Sequence, residues 1–230
     1  MRDHLLILGW NTKATSAIHN YLADTRYSGT DVVVVAPLDE LPELDEPNVT
    51  LVRGEPNQLA TLQRAHADTA RAAIVLARIP SDPRSDHESA LITTTLRRLN
   101  EAVSISVEMV DKDNREHLTY AGCNALIDDT YTIANLLVRA VQDVGVSDVV
   151  CELIASEVGS ELYRTSVGQS WAGKTFLDYA TAMVDKGICV VGLWRDGRHQ
   201  VNPDPDVILR DDDQVFVVSR EPPSRRSRFE

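Results

Sequence analysis

The segment Asp31–Ala36, four consecutive valines closed by Pro37, most narrows the folds open to this 230-residue chain. A strand with one wet face alternates apolar and polar residues. A strand apolar at every position is covered on both faces, as parallel sheets flanked by helices require. The neighbouring sequence agrees. Strand signals at His4–Leu8, Thr50–Arg53, Ala72–Ala77, Val103–Val110 and Ala125–Ile127 alternate with helical spacings. Those helices carry Ala14, Ile18 and Leu22; Leu59, Leu62 and Ala65; Glu88–Leu99; and Lys112–Ala121, which Gly122 ends. Strands separated by helices of about ten residues predict right-handed crossovers and a parallel sheet. A doubly wound, Rossmann-like α/β fold is expected over 1–129.

The pattern then changes. Tyr131–Val144 is helical, but Ile133, Leu136, Leu137, Ala140, Val141 and Val144 span too wide an arc for a simple surface helix. Gly145 stops it, and Ser147 is expected to cap a second helix running to about Ser156. Such a pair packs either back onto its own sheet or against a second subunit, as a hinge over 130–156. Short strands at Glu161–Thr165, Cys189–Arg195 and Val215–Ser219 follow, with a helix at Thr175–Val184. Asp196-Gly197 signals a hairpin, and Asn202–Pro205 a cluster of turns. These predict a small α+β lobe over 157–220 and a disordered tail at 221–230.

Composition removes several classes of function. The net charge is −12, and the last eleven residues hold four arginines against two glutamates, leaving −14 on the first 219. That balance opposes nucleic-acid binding. No apolar run approaches the roughly 18 residues of a membrane span, and the start lacks a signal-peptide pattern, so no membrane insertion is expected. Cys123, Cys151 and Cys189 are odd in number and far apart, which fits neither a disulfide framework nor a zinc site. Each is expected to be a small buried hydrophobe in a reducing cytoplasm.

The first strand should lead into a dinucleotide fingerprint, whose three positions here are Gly9, Asn11 and Ala14. One glycine of the three is present, and no acid follows the second strand until Asp39. The turn is either an altered nucleotide pocket or a scaffold without its cofactor. The six histidines show no paired spacing, and nucleophile-elbow and P-loop motifs are missing, so no catalytic residues and no enzyme activity are expected. Asp39, Glu40, Glu43, Asp45 and Glu46 form a solvated acidic loop. Asp111, Asp113, Asp128 and Asp129 sit where helix caps are expected. Asp128, Glu152, Glu157 and Glu161 can also supply the several oxygens that calcium prefers.

Several motifs in order resemble one family. They are His4-Leu5-Leu6-Ile7-Leu8-Gly9-Trp10, Arg53-Gly54-Glu55-Pro56 with Leu59, Ala121-Gly122-Cys123-Asn124 before Asp128, and Asn202-Pro203 with Leu209, Asp213 and Val215–Ser219. Residues 4–220 are thus similar to the RCK domain (regulator of conductance of potassium, or TrkA-N plus TrkA-C). The resemblance implies a cytoplasmic, ligand-sensing gating-ring domain that converts cation or nucleotide binding into opening or closing of a potassium-channel pore. It implies a swapped homodimer, assembled into an octameric ring. By position, Gly9, Trp10, Asn11, Thr12, Ala36, Gly54 and Glu55 would bind a nucleotide such as NAD or ADP. Calcium would fall to Asp128, Glu152, Glu157 and Glu161; calcium-gated members have an aspartate where Asn124 stands. The alternatives are a free Trk-type subunit of a potassium transporter and an NAD-dependent enzyme.

Overall fold

A computed structural model describes residues 1–223 except Glu43, Asp45, Glu157 and Val158. The chain divides into two compact units, Met1–Val144 and Gly145–Glu230. In the first, six parallel strands are ordered β3-β2-β1-β4-β5-β6. They are β1 Leu5–Leu8, β2 Val32–Ala36, β3 Val49–Arg53, β4 Ala72–Val75, β5 Ser104–Met109 and β6 Ala125–Asp128. Between them run α1 Ala14–Ala23, α2 Leu59–Arg64, α3 Ser85–Leu99 and α4 Arg115–Tyr120. Leu6, Leu8, Val33 and Val35 enter one core with Leu62 of α2, Leu96 of α3 and Leu118 of α4. Leu5, Ile7, Val32 and Val34 enter a second with Ala14 and Ile18 of α1. The valine run is continuous because successive side chains belong to two different cores, each burial contributing about 1.5–3 kcal/mol. The expected Rossmann-like sheet is therefore present.

His4, just before β1, is wholly buried. Its Nε2 lies 3.0 Å from the carbonyl of Ala65, while Nδ1 has no hydrogen-bond partner among the described residues. Burial holds its pKa below the usual histidine value, the hydrogen bond to Ala65 acting against that.

Helix α5, Asp129–Gln142, buries none of its 14 residues, so its own sheet does not bury it among the described residues. In the second unit, α6 spans Val146–Ile154, with Gly145 at its N-cap at φ 93°. Ser147 lies inside the first turn and is not the cap; the left-handed conformation open to glycine takes that position instead. Beyond α6, an antiparallel sheet is ordered β7-β10-β8-β9, from β7 Glu161–Ser166, β8 Cys189–Arg195, β9 Arg198–Val201 and β10 Gln214–Ser219. Helix α7, Phe176–Val184, buries Phe176, Tyr179 and Met183 in a core with Leu193, Val215 and Val217. Asp196 and Gly197 both have positive φ, 51° and 75°, the geometry that turns β8 into β9. Buried Asp213 accepts from Nε of Arg195 at 2.7 Å and from the Arg210 amide at 2.8 Å, tying β8 to the strand-leading loop.

The three cysteines are free, as expected, but Cys151 and Cys189 are exposed and Cys123 is half-buried. Their apolar neighbours in sequence do not enclose them, because Cys151 lies on a helix with no buried residue and Cys189 opens β8. No helix among the described residues is long and apolar enough to cross a membrane. Of the expected tail, residues 224–230 lie outside the described residues, as do Glu43 and Asp45 of the acidic loop.

Candidate functional site

Strand β1 has β2 on one side and β4 on the other, and the chain changes winding direction between them. In open α/β sheets a crevice forms at the carboxyl ends of the strands at such a switch point. The turn out of β1 begins at Gly9, with φ +95°. A Cβ there would lie 2.8 Å from the carbonyl oxygen of Leu76, so both backbone conformation and close approach demand glycine. Gly9 and Trp10 line a cleft of about 180 Å³ together with Pro37 and Leu38 beyond β2 and with Glu55 and Pro56 beyond β3. Leu76 and Arg78 beyond β4, and Glu88, Ser89 and Ile92 of α3, complete it.

The cleft is apolar except at one end. There Arg78 Nη1 lies 3.8 Å from Glu55 Oε2 and 3.5 Å from Glu88 Oε1. These separations are too long for good hydrogen bonds, and partly exposed pairs of this kind are worth about 0–1 kcal/mol. Arg78 is therefore held loosely, with a guanidinium able to turn toward an anion.

The other half of the crevice is built differently. Asn11 Nδ2 donates to the Ala77 carbonyl at 2.9 Å and to Glu108 Oε2 at 2.8 Å, and Asn11 Oδ1 accepts from the Lys13 amide at 2.9 Å. The buried Glu108, on β5, also accepts from the Ala77 amide at 3.0 Å. Lys13 Nζ closes the group by pairing with both Glu108 and Asp129, the first residue of α5. Hydrogen bonding from Lys13 holds the Asp129 carboxyl below its ordinary pKa. Burial works against the charge on Lys13, but its bonds to Asp129 and Glu108 raise its pKa overall. The first turn of the sheet is thereby tied to the first turn of the helix that leaves it.

Of the residues singled out from sequence, Gly9, Trp10 and Glu55 line the cleft. Ala36 is buried at the end of β2, does not line the cleft, and accepts from the Gly54 amide at 3.0 Å. Gly54 has φ +149°, and a Cβ would meet Thr61 Oγ1 at 2.8 Å. Asn11 is committed to Ala77 and Glu108, and Thr12 is exposed. Arg78, Glu88 and Ile92 were not anticipated; the one signal available was that Arg78 closely follows a strand ending beside β1.

Two of the carboxylates named for calcium, Asp128 and Glu152, hold backbone amides. Asp128 caps α5, its Oδ1 accepting from the Tyr131 amide at 2.8 Å. Glu152 Oε1 accepts from the Ser160 amide at 3.2 Å, and Glu161 opens β7. Asp128 belongs to the first unit, Glu152 and Glu161 to the second, and Glu157 lies outside the described residues. Among the described residues no group of three His, Cys, Asp or Glu is placed to hold a metal ion. Asn124 Oδ1 accepts from the Ile105 amide at 2.7 Å and from Arg97 Nη2 at 2.9 Å, so this oxygen is used in holding β5 and β6.

Comparison with known proteins agrees with this architecture. The probable ion channel SYM8 of Pisum sativum is 28% identical over 240 residues, covering 96% of this chain and 26% of SYM8. The chain thus spans about a quarter of the length of that plant relative. The calcium-gated potassium channel TvoK of Thermoplasma volcanium is 20% identical, covering 96% of this chain and 63% of TvoK. Among solved structures, the human SLO3 gating ring superposes with a TM-score of 0.72 at 13% identity, over 94% of this chain and 43% of that one. The GsuK channel bound to NAD gives 0.50 at 18% identity, over 95% and 37%. At these identities the two structures speak for the fold alone. The family model described as the TrkA-N domain matches residues 5–129, more than half of the sequence. With its parallel sheet, its switch-point cleft and that match, the chain belongs to the TrkA-N (RCK) family.

Proposed function

We propose that this chain is a ligand-sensing regulatory domain of a potassium channel, acting at the cytoplasmic face of the membrane. A nucleotide-class ligand binds in the cleft beneath Trp10 and Arg78. The change is passed along α5 to other subunits and so to the pore. The observation that carries this reading is α5 itself. It starts from β6, is tied to the turn out of β1 by the Lys13–Asp129 pair, and leaves Leu137 and Val141 exposed. An apolar helix of that length in water calls for a partner surface, and a second copy of the chain supplies one. A relative named as a calcium-gated potassium channel and a plant relative named as a probable ion channel support the same assignment. A homodimer, extended to an octameric ring, is the assembly that fits it.

The free-subunit and enzyme alternatives find less support. Among the described residues no histidine, cysteine or lysine lines the cleft, and the two carboxylates there both face Arg78. Calcium is a second effector reading, favoured by the name of the Thermoplasma relative. Static light scattering on the chain at micromolar concentration tests the assignment. A dimer or larger species is expected, and a monomer at high micromolar concentration overturns it. Calorimetry with calcium chloride alone separates the two effectors.

A further inference from the structure

The dinucleotide implied by the fold does not fit the residues present. In a dinucleotide-binding turn the diphosphate sits on the free amides at the start of the first helix, approached closely over glycines. Here the chain fills that place itself. The Lys13 amide is satisfied by Asn11 Oδ1 and the Ala14 amide by the Asn11 carbonyl at 3.1 Å. The Asn11 side chain stands where the second glycine would be. Behind it is the Glu108 carboxylate, already neutralised by Lys13. A diphosphate arriving there would have to displace Asn11, lose the two amides and confront Glu108 and Asp129.

The β2–β3 side of the crevice carries no such obstruction. Trp10, Pro37, Leu38 and Ile92 wall a space suited to a flat base, Glu55 offers a carboxylate to hydroxyl donors, and Arg78 is its one lining cation among the described residues. At about 180 Å³ the space is below the roughly 300–1,000 Å³ of complete small-molecule sites. It holds a fragment the size of a base with its sugar.

We infer that the cleft selects a nucleoside carrying at most one phosphate, read by Arg78, and excludes dinucleotides and diphosphates because Asn11, Lys13, Glu108 and Asp129 occupy the diphosphate seat. This rests on the reading of the cleft as the sensor and narrows its ligand.

The test is titration of the whole chain with adenosine, AMP, ADP and NAD, followed by calorimetry and by the fluorescence of Trp10, the single tryptophan of the first unit. AMP should bind about tenfold more tightly than adenosine, and ADP and NAD at least tenfold more weakly than AMP. Arg78→Ala, at an exposed position, should bring AMP down to the level of adenosine. Asn11→Gly should narrow the gap between NAD and AMP. NAD or ADP binding the unaltered chain as tightly as AMP would overturn the exclusion while leaving the cleft as a sensor. AMP no tighter than adenosine would overturn the role of Arg78. If none of the four binds, the nucleotide-sensor reading fails as well.

Discussion

Helices α3 and α5 are of similar length and have opposite fates. α3 has the more polar sequence, yet it buries Ile92, Leu96 and Thr93 and even the small polar Ser85, Asp86 and Ser89. α5 carries Ile133, Leu137, Val138 and Val141, exposed by 54%, 64%, 54% and 85%, and buries nothing. The difference is one of place. α3 is a crossover between two adjacent parallel strands and must lie on the sheet. α5 follows the last strand, β6, at the sheet edge, where no later strand returns it to the face. Apolar residues on a helix therefore say that a surface will cover it, and topology decides whether that surface belongs to the same chain.

The largest effect expected from this contrast is on α3. Leu96→Ala should cost about 2–5 kcal/mol, since a fully buried leucine leaves a cavity among β-strand side chains that cannot close around it. Urea unfolding of the first unit, at any protein concentration, measures it. Leu137→Asp and Val141→Asp on α5 should behave in the opposite way. At low concentration they leave the unfolding midpoint within about 0.5 kcal/mol of the parent, while the association measured by light scattering falls at least tenfold. Equal, concentration-independent losses at Leu96 and Leu137 would break the comparison.

The finest cut uses pH, because the covered half of the molecule contains His4. Its folded pKa is below the ordinary 6.5, so the unfolded chain takes up a proton that the native chain refuses. This contribution is complete above pH 6.5 and is lost as the pH falls through 6.5 toward the folded value. Urea midpoints should drop by the equivalent of about 1 kcal/mol per pH unit over that window, and His4→Leu should remove the slope. Association through α5 should not follow the same curve. A slope unchanged in His4→Leu would assign the effect elsewhere.

The elements of the first unit were legible because their determinants are local. Apolar runs, helical spacing and Gly122 placed each strand and helix to within about three residues. Strand β9 of the second unit was legible only through the Asp196-Gly197 hairpin signal, since Arg198-His199-Gln200 itself carries no strand pattern. It is a strand because the positive φ of Asp196 and Gly197 folds it back onto Leu193 and Trp194. The site divides in the same way. Gly9 was readable, since a strand-to-helix turn needs positive φ there, and Glu55 was readable as the residue beyond β3. Asn11 was readable as the residue in the place of the second glycine, without its partner. Its actual partner, Glu108, lies 97 residues away and reaches it only once β5 is laid beside β4.

Local sequence was enough to give the alternation of strands and helices, the two-faced burial of the valine run, the glycine at the crevice and the unusual apolarity of α5. These follow from side-chain hydrophobicity and backbone sterics acting over a few residues. It took the tertiary structure to show that Arg78 stands between Glu55 and Glu88, that Asn11 and Lys13 are both bonded to Glu108 at the turn out of β1, and that α5 buries none of its residues. Those facts depend on strand order, and strand order is set by which faces can be buried together, a free energy summed over the whole sheet rather than written in any one segment.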